Sequence, residues 1–185
     1  METITLEQLS QNVKPWSEQR LILEQSTCAR QIEKFYSERA EMITTDDLKD
    51  SYGDQMVCLI NAYLLEDDGT LFKNIHFIDE EAMPILGGVE FDLMQTNIAN
   101  AILTLDHEIS HSFNPQECYA LAWNEIKKRA GLMVKGKFVK WDNLTHSQRV
   151  EVAKLGQLSH KDIDLKHCKS FCTESEWLEI MCSIK

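Results

Sequence analysis

Residues 31–60 read QIEKFYSERAEMITTDDLKDSYGDQMVCLI, two helix-forming runs separated by ITTDD (residues 43–47). The first run extends back in helix-forming sequence. Ile22, Cys28, Ile32, Phe35 and Tyr36 give it an apolar stripe, which predicts a helix from about Ser17 to Met42. Thr45 or Asp46 is placed to cap a second helix from about Asp47 to Leu65. The end of that helix, MVCLINAYLL (residues 56–65), is apolar nearly all round, the pattern of a segment at the centre of a bundle. Each run carries a pair of carboxylates on one face. Glu38 and Glu41 are three apart, and Asp50 and Asp54 are four apart. If the two helices pack antiparallel, the four come together. An oxygen-only cluster suits Mg²⁺ or Mn²⁺, and two such ions could bind nucleotide phosphates and activate a water. The competing reading is four solvated charges on amphipathic helices. Asp54 argues against it, because buried-looking sequence follows at once and a carboxylate at the edge of a core needs a partner or a metal.

Outward from this stretch the chain stays helical. Only seven glycines and three prolines interrupt its 185 residues, which favours an all-α fold. EDDGT (residues 66–70) reads as a turn, and residues 68–88 as irregular, ending in ILGG. A third helix is expected over about Phe91–His111. Asn114 and Pro115 open a fourth, QECYALAWNEIKKRA, which stops at Gly131. LMVKGKFVKW alternates around Lys135-Gly136, which predicts a short β-hairpin near residues 132–141. Residues 1–144 then form the main domain, and residues 145–185 a C-terminal helical extension.

Composition narrows the function. A net charge of −11 disfavours a duplex nucleic-acid partner. A small anionic ligand would need local cations or metal ions. No run is apolar enough to span a bilayer, and METITLEQLSQNVK lacks the apolar centre of a signal peptide, so a cytoplasmic location without membrane contact is expected. In that reducing compartment the six cysteines are expected as free thiols.

Three other features have a chemical reading beside a plainer one. His107-Glu108-Ile109-Ser110-His111 matches H-E-x-x-H, the zinc-peptidase pattern, with Glu117 and Glu125 as the next candidate ligands. Both histidines fall away from the stripe of Ile98, Ala101, Ile102, Leu105, Ile109 and Phe113, as residues of a solvated face would. Lys127, Lys128, Arg129, Lys135, Lys137 and Lys140 form either a phosphate-facing patch or, in part, a cationic helix end. Trp123 and Trp141 could stack on a base, though core packing is the commoner fate. His160, His167, Cys168 and Cys172 mix zinc-type ligands at no structural zinc spacing.

Three segments in order resemble one family. They are Gln31-x-x-Lys34-x-x-x-Glu38-x-x-Glu41-Met42, then LKDSYGDQMVCLI, then CYALAWNEIKKRAGLMVKGKFVK. Together, over about Trp16–Lys140, they resemble the MazG-like all-α nucleoside triphosphate pyrophosphohydrolases, in particular the single-domain members common in bacteriophages. The resemblance implies a helical bundle assembled as a homodimer or homotetramer, in the host cytoplasm if phage-encoded. It implies cleavage of an NTP or dNTP to the monophosphate and pyrophosphate with Mg²⁺ (or Mn²⁺). By position, Glu38, Glu41 and Asp54 would be the catalytic metal ligands, helped by Asp50. Lys34 would lie near the phosphates, and Asn124, Lys127, Arg129 and Lys140 would close the substrate site. Two motif glutamates of the family are serines here, Ser37 and Ser51. That substitution supports an alternative: a non-catalytic nucleotide-binding or protein-interaction module on the same fold.

Overall fold

The computed structural model describes residues 3–44, 46–66 and 88–184. They are mostly helical, with one two-stranded antiparallel sheet. The helices are α1 (Leu6–Gln19), α2 (Ile22–Gln25), α3 (Cys28–Glu41), α4 (Leu48–Glu66), α5 (Val89–Met94), α6 (Ile98–Ser110) and α7 (Pro115–Ile126). After the strands β1 (Gly131–Val134) and β2 (Lys137–Lys140) come α8 (His146–Lys154), α9 (Leu165–Ser170) and α10 (Glu174–Cys182). None of the described helices is long and apolar enough to cross a membrane. The chain divides into two compact units, Met1–Lys14 with Thr27–Trp123, and Pro15–Ser26 with Asn124–Lys185. The division therefore falls within α7 and not at residue 144. The C-terminal segment shares a unit with the hairpin instead of extending from a finished domain.

In the first unit α4 is the centre. From Gly53 to Leu64 every residue but Asp54 is buried, as its nearly unbroken apolar sequence requires. Each large apolar side chain so placed contributes roughly 1.5–3 kcal/mol relative to exposure. Asp47 caps the helix: its carboxylate accepts from the Asp50 N–H at 3.2 Å. The cap thus lies one residue beyond Asp46, while Thr45 lies outside the described residues, as do residues 68–87 of the expected irregular stretch. α3 packs along α4 through Phe35 and Gln31, its two buried residues. Gly53 lets α7 approach closely, because a Cβ there would sit 2.4 Å from the Cys118 carbonyl oxygen and 2.6 Å from the Ala122 Cβ.

Two expected helices are broken. The Ser17–Met42 helix ends after Gln19, resumes for one turn as α2 beyond Leu21 (φ 61°), and restarts at Thr27, whose side chain accepts from the Arg30 N–H. The Phe91–His111 helix is two helices. Thr96 takes φ 56°, and Asn97 caps α6 by accepting from the Asn100 N–H at 3.1 Å. Such polar caps offer the backbone an alternative to the helical ladder. α1 has its own signal, a Thr5–Gln8 capping box in which each backbone N–H meets the other's side chain, at 2.8 and 3.1 Å.

In the second unit the hairpin has the expected turn. Lys135 and Gly136 take φ 52° and 76°, the two left-handed residues of a tight connection, and Gly131 pairs with Lys140, Leu132 with Val139. Leu132, Trp141, Leu144, Val152, Leu158, Ile163, Trp177 and Ile180 build the core under it. Three buried polar side chains stitch backbone within this unit. Arg20 donates from Nε and Nη2 to the Arg129 carbonyl (2.9 and 2.8 Å) and from Nη1 to the Trp16 carbonyl (3.1 Å), with its guanidinium 4.4 Å over the Trp16 ring. Gln157 binds both the N–H and C=O of Gly131 and the carbonyl of Gln19. Arg149 donates to the carbonyls of Trp141, Asp142 and Phe171.

Candidate functional site

The α3–α4 pair holds the cluster of most chemical interest. Lys34 Nζ donates to Glu38 Oε1 at 2.5 Å, one turn along the same helix face. The Glu38 side chain is 15% exposed and that of Lys34 50%. Burial alone would lower the Lys34 ammonium. The hydrogen bond and charge of Glu38, with the charge of Asp54, act against it, and the pKa stands above its ordinary value. Cys58 itself is fully covered on α4. Burial pushes its thiol up to about 12, Lys34 pulls the other way, and Glu38 and Asp54 add to the rise. At neutral pH it is a packed, protonated thiol and not a nucleophile. One ammonium from α3 therefore lies in the field of two carboxylates, one from each helix.

The other expected ligands sit differently. Glu41 is exposed at the last residue of α3, and Asp50 is half-buried in the first turn of α4. Among the described residues, no three His, Cys, Asp or Glu side chains converge into a group ready to hold a metal ion. The two carboxylates whose charge acts on Lys34, Glu38 and Asp54, are oxygen donors of the type a hard cation takes, but they are two and not a complete ligand set. Ser37 and Ser51 turn inward to their own helices, each hydroxyl donating to the carbonyl four residues earlier, of Glu33 and of Asp47, both at 3.2 Å.

Beside this cluster lies a network that the sequence reading missed. Arg39 forms a two-pronged pair with Glu108, Nη1–Oε1 at 2.8 Å and Nη2–Oε2 at 3.0 Å. It also donates from Nε to Glu90 at 3.1 Å and from Nη1 to the buried Gln55 amide oxygen at 3.2 Å. The Tyr52 hydroxyl reaches Glu108 Oε1 at 3.4 Å. A signal existed: Arg39 lies four residues after buried Phe35, so it continues the core-facing stripe of α3, where a charge requires a partner. Its partner is the glutamate of the H-E-x-x-H match. Glu108 is thus committed to a guanidinium, while His111 Nδ1 lies 2.9 Å from the His107 carbonyl and the two rings meet edge to face at 4.5 Å. Of the other zinc-ligand candidates, Glu117 pairs with Lys49 at 2.6 Å and Glu125 with Lys128 at 3.4 Å.

Asn124, Lys127, Arg129 and Lys140 belong to the second unit. Lys127 pairs with Asp162 at 3.6 Å, and the Arg129 carbonyl receives Arg20. Lys135, Lys137 and Lys140 are exposed, but Lys137 and Lys140 are three apart on a strand and so face opposite ways. Trp141 is buried, with Nε1 donating to the Cys168 carbonyl at 2.8 Å, so it packs the core and has no free face for a base. The C-terminal histidines and cysteines are separately engaged. His160 pairs with Asp162, His167 with Asp142, and the Cys172 thiol with the Cys168 carbonyl. All six cysteines are free thiols, as expected for the chain. The chain matches no family model, no curated protein and no solved structure.

Proposed function

We propose that the α3–α4 hairpin is the phosphate-handling site of a metal-dependent nucleoside triphosphate pyrophosphohydrolase, acting as a homodimer or homotetramer. The observation that carries this reading is the packing of α3 along α4, which sets the Lys34–Glu38 ion pair of one helix in the field of Asp54 on the other. The motif resemblance of the same residues supports it. Glu38 and Asp54, with Glu41 and Asp50, would hold Mg²⁺ or Mn²⁺, which supplies charge neutralisation for a triphosphate and a more acidic water. Lys34 stands where it can offset charge on a pyrophosphate leaving group. The test is pyrophosphate release from a panel of NTPs and dNTPs with Mg²⁺ or Mn²⁺, beside Glu41→Gln and Asp54→Asn. Activity that falls by about a hundredfold or more in Asp54→Asn supports the enzyme. Release unaffected by either substitution places the chemistry elsewhere.

One observation favours a second reading. Ser37 and Ser51 spend their hydroxyls on their own helices, so neither replaces the carboxylate that the family pattern has there. On this reading the protein binds a nucleotide without cleaving it. Saturable binding of a nucleotide by folded protein that releases no pyrophosphate from any of the panel selects it.

A further inference from the structure

We infer that His107 and His111 form a two-pronged site for a divalent transition-metal ion of the Ni²⁺ or Cu²⁺ kind, with water completing its coordination. The site uses none of the α3–α4 carboxylates and does not rest on the hydrolase reading.

The two histidines lie four apart at the C-terminal end of α6, so they project from one face. His111 caps the helix and keeps right-handed helical backbone (φ −69°, ψ −25°), so the one-turn spacing holds as far as the second ring. His111 is exposed and His107 half-buried, which leaves both rings within reach of a solvated ion. His111 Nδ1 lies 2.9 Å from the His107 carbonyl oxygen. A carbonyl only accepts, so Nδ1 carries the proton and donates it. The lone pair of the neutral ring is then on Nε2, and the ring is oriented from behind. This is the outer hydrogen bond that a metal-ligating histidine makes.

The spacing selects the ion. A metal–nitrogen bond of about 2.0 Å puts a ring centre roughly 3.2 Å from the metal, so two ligands at a right angle have ring centres about 4.5 Å apart, and two at the tetrahedral angle about 5.2 Å apart. The ring centroids of His107 and His111 are 4.5 Å apart, with the ring planes at 82°. A tetragonal ion therefore needs only rotation of these rings about their own side-chain bonds, whereas tetrahedral zinc would have to spread them. The end of α6 also favours a cation, because the last carbonyls of a helix carry partial negative charge. Glu108 takes no part, since Arg39 engages both of its oxygens. The H-E-x-x-H match thus keeps its chelating pair without a free base, which suits it to holding a metal and not to peptide hydrolysis.

The experiment titrates the chain, free of any affinity tag, with Ni²⁺ in a calorimeter, in excess Mg²⁺ to occupy oxygen ligands. Ni²⁺ is the probe because Cu²⁺ would oxidise the free thiols. Wild type is compared with His107→Ala, His111→Ala and His160→Ala. His160, exposed and paired with Asp162 at 3.3 Å, controls for the loss of a single surface imidazole. The expected result is Ni²⁺ binding about tenfold or more weaker in each of the first two variants, and within about twofold of wild type in His160→Ala. In the wild type, Ni²⁺ should also protect His107 and His111, but not His160, from carbethoxylation, read by peptide mass. That second measurement needs no variant. No Ni²⁺ binding, an affinity lowered in neither or in only one of the pair, or equal protection of all three histidines overturns the inference. Each of these results leaves the hydrolase reading standing.

Discussion

The buried arginines of the second unit and the partly exposed cations of the first are held in different ways. In the second, Arg20 and Arg149 are held by backbone carbonyls: those of Trp16 and Arg129 for the first, and of Trp141, Asp142 and Phe171 for the second. In the first, Lys34, Arg39 and Lys49 are held by the side-chain carboxylates of Glu38, of Glu108 and Glu90, and of Glu117. The difference is one of exchangeability. A carbonyl cannot rotate away from its helix or turn without local unfolding, so an arginine serving it is a structural tie. A carboxylate on a side chain can trade one cation for another. The arginine ties of the second unit are built to stay as they are, whereas the cations of the first, like the Lys127–Asp162 pair of the second, are charges that a ligand can contest.

The largest effect should come from cutting a backbone tie. Arg20 is almost completely buried, and burial lowers its pKa to about 9, so it is still charged at neutral pH. Arg20→Met removes the charge but strands the Arg129 carbonyl, which accepts two of its bonds. A loss of about 1–3 kcal/mol for each of the Arg129 and Trp16 carbonyls left without a donor is expected from urea unfolding, and it should be nearly independent of salt. A loss below about 1 kcal/mol would mean that the backbone finds other donors, and the contrast between the units would fail.

Arg39→Gln should give a smaller effect of a different kind. It leaves Glu90 and Glu108 close together without their shared cation. Both carboxylates keep access to water, so the expected loss is about 1–2 kcal/mol. It should shrink as ionic strength rises from about 0.01 to 0.5 M, because the Debye length falls from about 30 Å to a few ångströms. The salt dependence, set beside its absence in Arg20→Met, is the sharper test of the comparison than either magnitude alone.

The same division explains what the sequence made legible. The buried run of α4, the Asn114-Pro115 start of α7 and the Lys135-Gly136 turn are local patterns, and each is present as read. The packing of α3 along α4 was legible too, because each run carries an apolar face and the short loop between them brings the helices together. The breaks at Leu21 and Thr96 were not, since both need a left-handed residue where neither glycine nor asparagine marks it. The Thr5-x-x-Gln8 cap of α1 is a local pattern of the same readable kind. Arg20, Arg149 and Gln157 left no trace, because a side chain that serves backbone carbonyls has no complementary residue type to betray it. Arg39 and Glu108 were both visible, but 69 positions separate them and nothing in their identities joins them.

The smallest effect belongs to Lys49 and Glu117, and it tests the comparison through pH. The hydrogen bond and charge of Lys49 lower the Glu117 carboxyl below its ordinary 4.5. The same hydrogen bond, with the Glu117 charge, raises the Lys49 ammonium above its ordinary 10.5 despite the opposing effect of burial. The two signs bound a plateau. A depressed carboxyl contributes stability above its unfolded value and loses it as pH falls through the lower folded one. A raised ammonium contributes below its unfolded value and loses it as pH rises through the higher folded one. The stability gap between wild type and Glu117→Gln should therefore be constant from about pH 5.5 to 9.5, a unit inside each unfolded value, and close at both ends. Urea midpoints across that range measure it. A gap that persists unchanged well below pH 4 would show that Glu117 acts through packing and not through its charge. The first unit would then contain at least one fixed tie of the kind found in the second.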